Sequence, residues 1–323
     1  MRKDTIINQM NEYGKLGIPF VFIVDFLMKS PLLFTLDQIP SDEIWFDFNG
    51  FSNINKPDLA LKELQFSKFP IPFSDYAVVF DKIMQQLRYG NSYLLNLTFE
   101  TPIKTNYSQE ELFLESQAKY KMFWKDHFVV FSPEIFIKIN GHTISSFPMK
   151  GTIDAAIPNA ESVLKSDKKE FAEHCTIVDL IRNDLSMVAK NVKVRRFAYA
   201  DYIKTHHKTL IQLSSEIEGT LPLDFKAHLG DILFTLLPAG SVSGAPKRKT
   251  VEIICENEPS QRGYYTGVMG CFDGQNLDSA VMIRYIDVSD EIWHYKSGGG
   301  ITINSNCLKE YNEMIDKVYV PII

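Results

Sequence analysis

Three groups of residues in this chain have types and spacings that could do chemistry. The first is the stretch 237–249, LPAGSVSGAPKRK, where Gly240, Ser241, Ser243, Gly244 and Ala245 are all small. Glycines let the backbone come close to a ligand, and Pro246 suits the first turn of a helix. A helix opening there would aim unpaired N–H groups and its positive dipole end at a bound anion. Ser241 and Ser243 add hydroxyls, and Lys247 adds a formal charge. The chemistry predicted is capture of a small anion, a carboxylate. It is not a phosphate loop, because Gly240 and Gly244 are not followed by Gly-Lys-Ser/Thr. A plain helix–helix connection would use the same turn residues.

The second group is Lys150 within FPMKGT at 147–152. Facing solvent, as most lysines do, it would do nothing. Facing a cavity, its amine becomes a base or a nucleophile. At an ordinary pKa of about 10.4 only roughly one lysine in a few thousand is neutral at pH 7, so burial or a nearby cation would have to lower that value. The third group is two Glu-x-x-Glu pairs, Glu170 with Glu173 and Glu310 with Glu313. Residues three apart adjoin on one helix face, and two such pairs could offer oxygen ligands to one Mg²⁺. The plainer reading is that Glu170 caps a helix and Glu173 lies on a solvated face.

The elements that must position these groups follow from periodicity. Residues 1–75 read as strand-like pieces, 20–26 and 44–48 among them, separated by turns. An amphipathic helix is predicted over 75–89, with Val79, Ile83, Met84 and Leu87 on one side. Residues 93–100 alternate as a strand, 109–121 as a helix, and 128–131 and 135–139 as short strands. Gly141-His142 turns a hairpin into 143–147. Residues 154–169 form a polar surface excursion. Asp167 and Glu170 stand as N-cap and N3 of a helix over 167–190. Apolar helical runs cover 223–236 and 248–257. A strand over 293–296 enters Ser297-Gly298-Gly299-Gly300, and 308–318 is helical.

Composition bounds the function. The 323 residues are 45% hydrophobic and 23% charged, as in a soluble globular protein. A net charge of −6 gives no electrostatic reason to expect nucleic acid or an anionic membrane. The apolar run 18–28 is too short to span a bilayer and contains Asp25, and the amino terminus is polar where a signal peptide would be apolar. A cytoplasmic location is expected. Cys175, Cys255, Cys271 and Cys307 show no CxxC spacing and read as reduced thiols; Cys271 has no Cys/His pairing signature around it.

In this order along the chain, PMKGT at 148–152, AEHCTIVDLIRNDL at 172–185, PAGSVSGAPK at 238–247, RGYYTGVMGCFD at 262–273, AVMIRY at 280–285, and GGGI followed by EYNE resemble the chorismate-utilising enzymes. That group comprises anthranilate synthase component I, aminodeoxychorismate synthase component I, and the isochorismate and salicylate synthases. The resemblance covers residues 80–321, about three-quarters of the chain. It implies one α+β domain over 1–323 with the anthranilate synthase component I-like fold: two layered, mainly antiparallel sheets flanked by helices. Residues 1–75 would be its variable part, without a tryptophan-feedback motif. The resemblance makes Glu173 and Glu313 direct Mg²⁺ ligands, with Glu170 and Glu310 acting through bound water. Tyr265 and Arg284 would hold the enolpyruvyl carboxylate. Gly298, Gly299 and Gly300, Ser241, the Gly244-Ala245 backbone and Lys247 would complete the anion site, and Gly151 and Thr152 would line the ring.

Three positions separate the branches of the group. Lys150 stands where aminodeoxychorismate synthases carry lysine and the anthranilate and isochorismate enzymes carry a small residue. Leu94 replaces the lysine base of the water-adding enzymes. Gln212 falls where anthranilate synthase has the histidine that serves pyruvate elimination, and glutamine cannot do acid–base work near neutral pH. His206 and His207 lie about 17–20 Å away along a strand. The resemblance thus implies an aminodeoxychorismate synthase component I, making the precursor of 4-aminobenzoate for folate. With no glutaminase signature in the chain, ammonia would come from solution or from a separate glutamine amidotransferase subunit, component II. The alternatives are anthranilate synthase component I and a non-catalytic chorismate-binding paralogue.

Overall fold

The computed structural model describes residues 2–55, 62–204, 209–288 and 290–322; His206 and His207 lie outside them. The chain divides into two compact units. One comprises Met1–Gln38, Glu134–Ser243 and Thr266–Val281, the other Ile39–Pro133, Gly244–Tyr265 and Met282–Ile323. Among the described residues each unit is built on its own nine-stranded antiparallel sheet with helices, so the α+β class expected from the sequence is observed.

In the first unit the strands run in the order Met149–Asp154, Thr209–Thr220, Thr143–Ser146, Ile135–Asn140, Leu277–Val281, Val268–Phe272, Phe20–Val24, Leu32–Thr35, and Lys190–Lys204 also pairs with Thr209–Thr220. Phe20–Val24 and Val268–Phe272 are buried at every position. Their unbroken apolar sequence is that of strands covered on both faces. A helix, Lys3–Leu16, corrects the strand-and-turn reading of the amino terminus. Only Ile6 and Met10 mark its apolar stripe; Gly14 completes it by close approach, since a Cβ there would lie 2.1 Å from the Lys226 carbonyl. Gly17 ends the helix at φ +68°. The polar excursion 154–169 contains a second unpredicted helix, Ala160–Ser166, which buries Ala160 and Leu164.

In the second unit the order is Gly244–Ala245, Leu94–Thr105, His294–Thr302, Tyr285–Asp287, Phe128–Ser132, Tyr120–Trp124, Ile44–Phe48, Phe51–Ser52, and Phe66–Lys68 also pairs with Leu94–Thr105. The helix predicted over 109–121 stops at Glu115. Ser108 and Glu111 close a capping box at its start. Tyr120–Trp124 then pairs with Phe128–Ser132 as a hairpin, because five residues rich in aromatics bury better on a sheet than on a helix. Helix Phe73–Arg88 buries Tyr76, Phe80, Ile83, Met84 and Leu87; Val79, expected on that face, is only half-buried, and two aromatics complete the face instead. Among the described residues no helix is long and apolar enough to cross a membrane.

Candidate active site

In the first unit, Lys150, Gly151 and Thr152 lie on Met149–Asp154, paired with Thr209–Thr220. Lys150 stands opposite Leu213 and Thr152 opposite Gln212, so Gly151 is the extra residue of a β-bulge. Its φ of +68° favours glycine. A Cβ at Gly151 would sit 2.9 Å from Leu164 Cδ1 and 3.3 Å from Glu170 Oε2. The bulge therefore seats PMKGT against the first turn of helix Lys168–Ser186, the helix that carries Glu170 and Glu173. That helix starts as predicted: the Asp167 carboxylate accepts from Lys169 N at 2.9 Å and Glu170 N at 3.1 Å. Glu173 departs from the solvated-face reading, being only 5% exposed. Lys169 Nζ lies 3.6 Å from Glu173 Oε1 and 3.8 Å from Glu170 Oε1.

The residue after Glu173 is His174, which the sequence did not single out. It is fully buried, and its Nε2 is 2.6 Å from Ser215 Oγ. Ser215 N donates to the Pro148 carbonyl at 3.0 Å, so this pair borders the lysine strand. Burial, followed by the charge of Lys150, pushes the imidazole down to about 4, which keeps it neutral at pH 7. Lys150 and Gln212 are both half-buried. Ser241 hydrogen-bonds the carboxylate of Glu134, a titratable neighbour of the small-residue loop that no motif marked. Ser243 donates inward to the Ala239 carbonyl at 2.8 Å. Cys271 is buried, its thiol pushed up to about 12 chiefly by desolvation, so it is no nucleophile.

In the second unit the loop residues Gly244 and Ala245 form a two-residue strand against Leu95 and Leu94. Gly244 has φ +136°, and a Cβ on it would lie 1.9 Å from the Leu94 carbonyl. Leu94 itself is buried. Pro246 is the N-cap of helix Lys247–Asn257, one position before its predicted place in the first turn, which leaves Lys247 as the first helical residue.

The strand expected to end at 296 runs on through the glycines. Gly298–Gly300 continues the strand His294–Thr302 and pairs residue by residue with Thr98, Leu97 and Asn96. Gly298 is indispensable to that contact, because a Cβ would lie 2.1 Å from the Leu97 carbonyl. The Gly298 carbonyl accepts from Lys317 Nζ at 2.9 Å, on the edge away from Leu94–Thr105. In an antiparallel strand a residue's N–H and C=O point to the same edge. The N–H groups of Gly298 and Gly300 therefore face that open edge, while the N–H of Gly299 turns to the ladder. Gly298→Ala is expected to lower stability by about 1–3 kcal/mol, the usual cost of overpacking, and to lower the melting temperature accordingly. A melting temperature equal to wild type by calorimetry would show that the ladder tolerates a side chain there.

Tyr265 and Arg284 come together in this unit. Tyr265 is buried, the Arg284 guanidinium lies 5.1 Å from the Tyr319 ring centre, and the phenols of Tyr319, Tyr295 and Tyr265 all act on its charge. Arg284 Nε is buried with no hydrogen-bond partner among the described residues. The Arg284 backbone has φ +55°, a strained value of the kind that clusters at binding sites. A half-buried guanidinium whose buried Nε–H is unused suits a carboxylate guest. Arg284→Lys is expected to raise the Michaelis constant for the substrate by about tenfold or more, since a planar fork becomes a point charge. A wild-type value from steady-state kinetics would refute that pose.

The second pair of glutamates sits on helix Cys307–Asp316, capped by Asn306. Glu310 is 2% exposed. Glu313 lies against Gly299 and pairs with Lys317 Nζ at 2.6 Å. Lys317 was missed by the sequence reading, although its i+4 spacing from Glu313 is a recognisable signal. Within each unit the glutamate pair offers oxygen donors of the kind a hard cation takes, and one member of each pair, Glu173 and Glu310, is nearly dry. Among the described residues no group of three or more His, Cys, Asp or Glu forms a ready metal site.

The family described as chorismate binding enzyme matches residues 48–322. A Haemophilus influenzae protein described as an uncharacterized PabA-like protein is 50% identical over 316 residues, 98% of this chain and 96% of its own. Aminodeoxychorismate synthase component 1 of Klebsiella aerogenes is 32% identical over 261 residues, 76% of this chain and 56% of its own. The crystal structure of anthranilate synthase component I from Streptococcus pneumoniae matches with a TM-score of 0.68 at 25% identity, covering 81% of this chain and 60% of that one.

Proposed function

The chain belongs to the chorismate-binding enzyme family, and from that premise we propose that this chorismate-utilising enzyme aminates its substrate to 4-amino-4-deoxychorismate. The observation that carries the reading is Lys150, seated by the Gly151 bulge beside the glutamate-bearing helix. In its neutral form the Lys150 amine adds to the vinylic ring carbon beside the carboxylate-bearing one. The double bond shifts, and the ring hydroxyl leaves and takes up a proton as water. Ammonia then bonds to the vacated carbon, the double bond shifts back, and the lysine nitrogen is expelled. The sum is chorismate plus ammonia giving aminodeoxychorismate plus water, with the enolpyruvyl group retained.

Arg284 and Tyr265 bind the enolpyruvyl carboxylate in this reading. The N–H groups of Gly298 and Gly300 and the charge of Lys247 serve the second carboxylate. Glu173 and Glu313 would hold Mg²⁺ directly, and Glu170 and Glu310 through water; the ion would supply charge neutralisation of the ring carboxylate. Gln212 has no titratable proton with which to eliminate pyruvate. Ammonia would come from a separate glutamine amidotransferase subunit, and the product would feed 4-aminobenzoate and folate synthesis in the cytoplasm.

The likeness to anthranilate synthase favours a second reading, 2-amination with loss of pyruvate; Lys150 and Gln212 both count against it. Incubation with chorismate, Mg²⁺ and ammonium separates the two. The first reading predicts a non-aromatic amine of retained carbon count by mass spectrometry and no pyruvate. Fluorescent anthranilate with stoichiometric pyruvate would overturn it.

A further inference from the structure

Helix Lys247–Asn257 ends at Glu258, and the chain then turns through Arg262 to Tyr265, whose N–H donates to the Arg262 carbonyl at 3.0 Å. Glu258 and Arg262 form a two-pronged ion pair: Nε to Oε2 at 2.8 Å and Nη2 to Oε1 at 2.7 Å. Both side chains are only 3% exposed. The pair does not bind only itself. Arg262 Nη2 donates to the Asn96 carbonyl at 2.6 Å, and Glu258 Oε1 accepts from Thr98 N at 2.8 Å and Thr98 Oγ1 at 3.0 Å.

Those strand residues are Asn96 and Thr98, the partners of Gly300 and Gly298. On its other edge, strand Leu94–Thr105 pairs with Gly244–Ala245 at 94–95 and with Phe66–Lys68 at 103–105. In the gap between these, among the described residues, the Glu258–Arg262 pair takes the hydrogen bonds a neighbouring strand would make. A second buried cation ties the same turn to the glycine strand. Lys296 Nζ donates to the Gln261 carbonyl at 3.2 Å and lies 3.0 Å from Glu100 and 3.1 Å from Asp287. Lys296 is itself two residues before Gly298.

Burying an ion pair is a poor way to add stability, because its desolvation cost rivals its attraction. What a dry, forked pair supplies is a fixed geometry. We propose that Glu258 and Arg262 are positioning residues for the substrate: their buried pair locks the Tyr265 turn onto Asn96 and Thr98 of strand Leu94–Thr105, the ladder partners of Gly300 and Gly298, and so sets the spacing between the phenol and the glycine N–H groups. This rests on the reading that Tyr265 and the glycine strand hold the two carboxylates of chorismate. No part of the substrate need touch either residue. The pair acts through Tyr265, and that dependence is measurable.

The test is a double-mutant cycle in the full-length protein, read as the Michaelis constant for chorismate, kcat and melting temperature. Arg262→Lys keeps the charge but loses the fork, and Glu258→Gln keeps the shape but loses the charge. Each is expected to raise the Michaelis constant by about tenfold while kcat changes by less than about threefold, the pattern of lost ground-state binding. In a Tyr265→Phe background, Arg262→Lys is expected to add less than about twofold, because the two changes remove one interaction. A lowered melting temperature with an unchanged Michaelis constant, or effects that multiply fully, would overturn the proposal and leave the pair a structural strut. If Tyr265→Phe alone leaves the Michaelis constant unchanged, the substrate reading of Tyr265 fails, and the positioning role fails with it.

Discussion

Glu173→Gln is expected to reduce turnover by at least about a hundredfold, more than is usual for loss of an outer partner of a metal site. The change removes one negative charge and keeps the shape. Its neighbour Lys169 lies 3.6 Å away and is itself partly exposed, so it can turn to Glu170 or to water. Because Lys169 can be resolvated, the stability cost should stay below the roughly 3–5 kcal/mol of breaking a fully buried pair. Glu313→Gln should behave alike: its partner Lys317 keeps a second acceptor, the Gly298 carbonyl, at 2.9 Å. Excess Mg²⁺ should restore activity only in part, since a neutral amide is a weak ligand for a hard ion. The measurement is kcat as a function of Mg²⁺ concentration with melting temperature as the control. Unchanged turnover at ordinary Mg²⁺ in either variant would refute the assignment.

Lys150→Ala should cost on the order of a thousandfold in ammonia-dependent amination, the scale expected when a covalent route closes and only direct attack remains. Substrate binding should survive, with a chorismate dissociation constant within about threefold of wild type, because the carboxylate grips lie on other residues. The fold should survive as well: Lys150 is half-buried on a bulged edge, and no core cavity is opened by trimming it. Leakage to another chorismate product would agree with this picture. Full ammonia-dependent activity would make Lys150 a bystander, and the choice between 4- and 2-amination would then rest on Leu94 and Gln212 alone.

Much of the fold and of the site is legible in the sequence. The capped start of Lys168–Ser186 is written in Asp167 and Glu170, and the helix after 246 in Pro246 and the apolar run 248–257. What escaped was set by contacts distant in sequence. Lys3–Leu16 shows too few apolar residues to announce itself, and its packing depends on Gly14 meeting a carbonyl more than two hundred residues away. Gly298–Gly300 reads as a loop because glycine is the residue of loops. Here it serves close backbone approach within a sheet, which only the facing Leu97 reveals. Glu173 was expected on a solvated face because local periodicity cannot tell which side of a helix is covered. Lys317 was within reach, four residues after Glu313, whereas the grip of Glu258 and Arg262 on Asn96 and Thr98 spans some 160 residues and leaves no local trace.

The central claim is that Lys150 becomes covalently bonded to the substrate ring. Intact-protein mass spectrometry of the wild-type chain, mixed with chorismate and Mg²⁺ in the absence of ammonia, tests it most directly. The account predicts an added mass equal to chorismate less one water, mapped to Lys150 by peptide analysis, absent in Lys150→Ala and discharged when ammonium is added. A wild-type protein that binds chorismate yet shows no adduct, or an adduct that persists in Lys150→Ala, would contradict it.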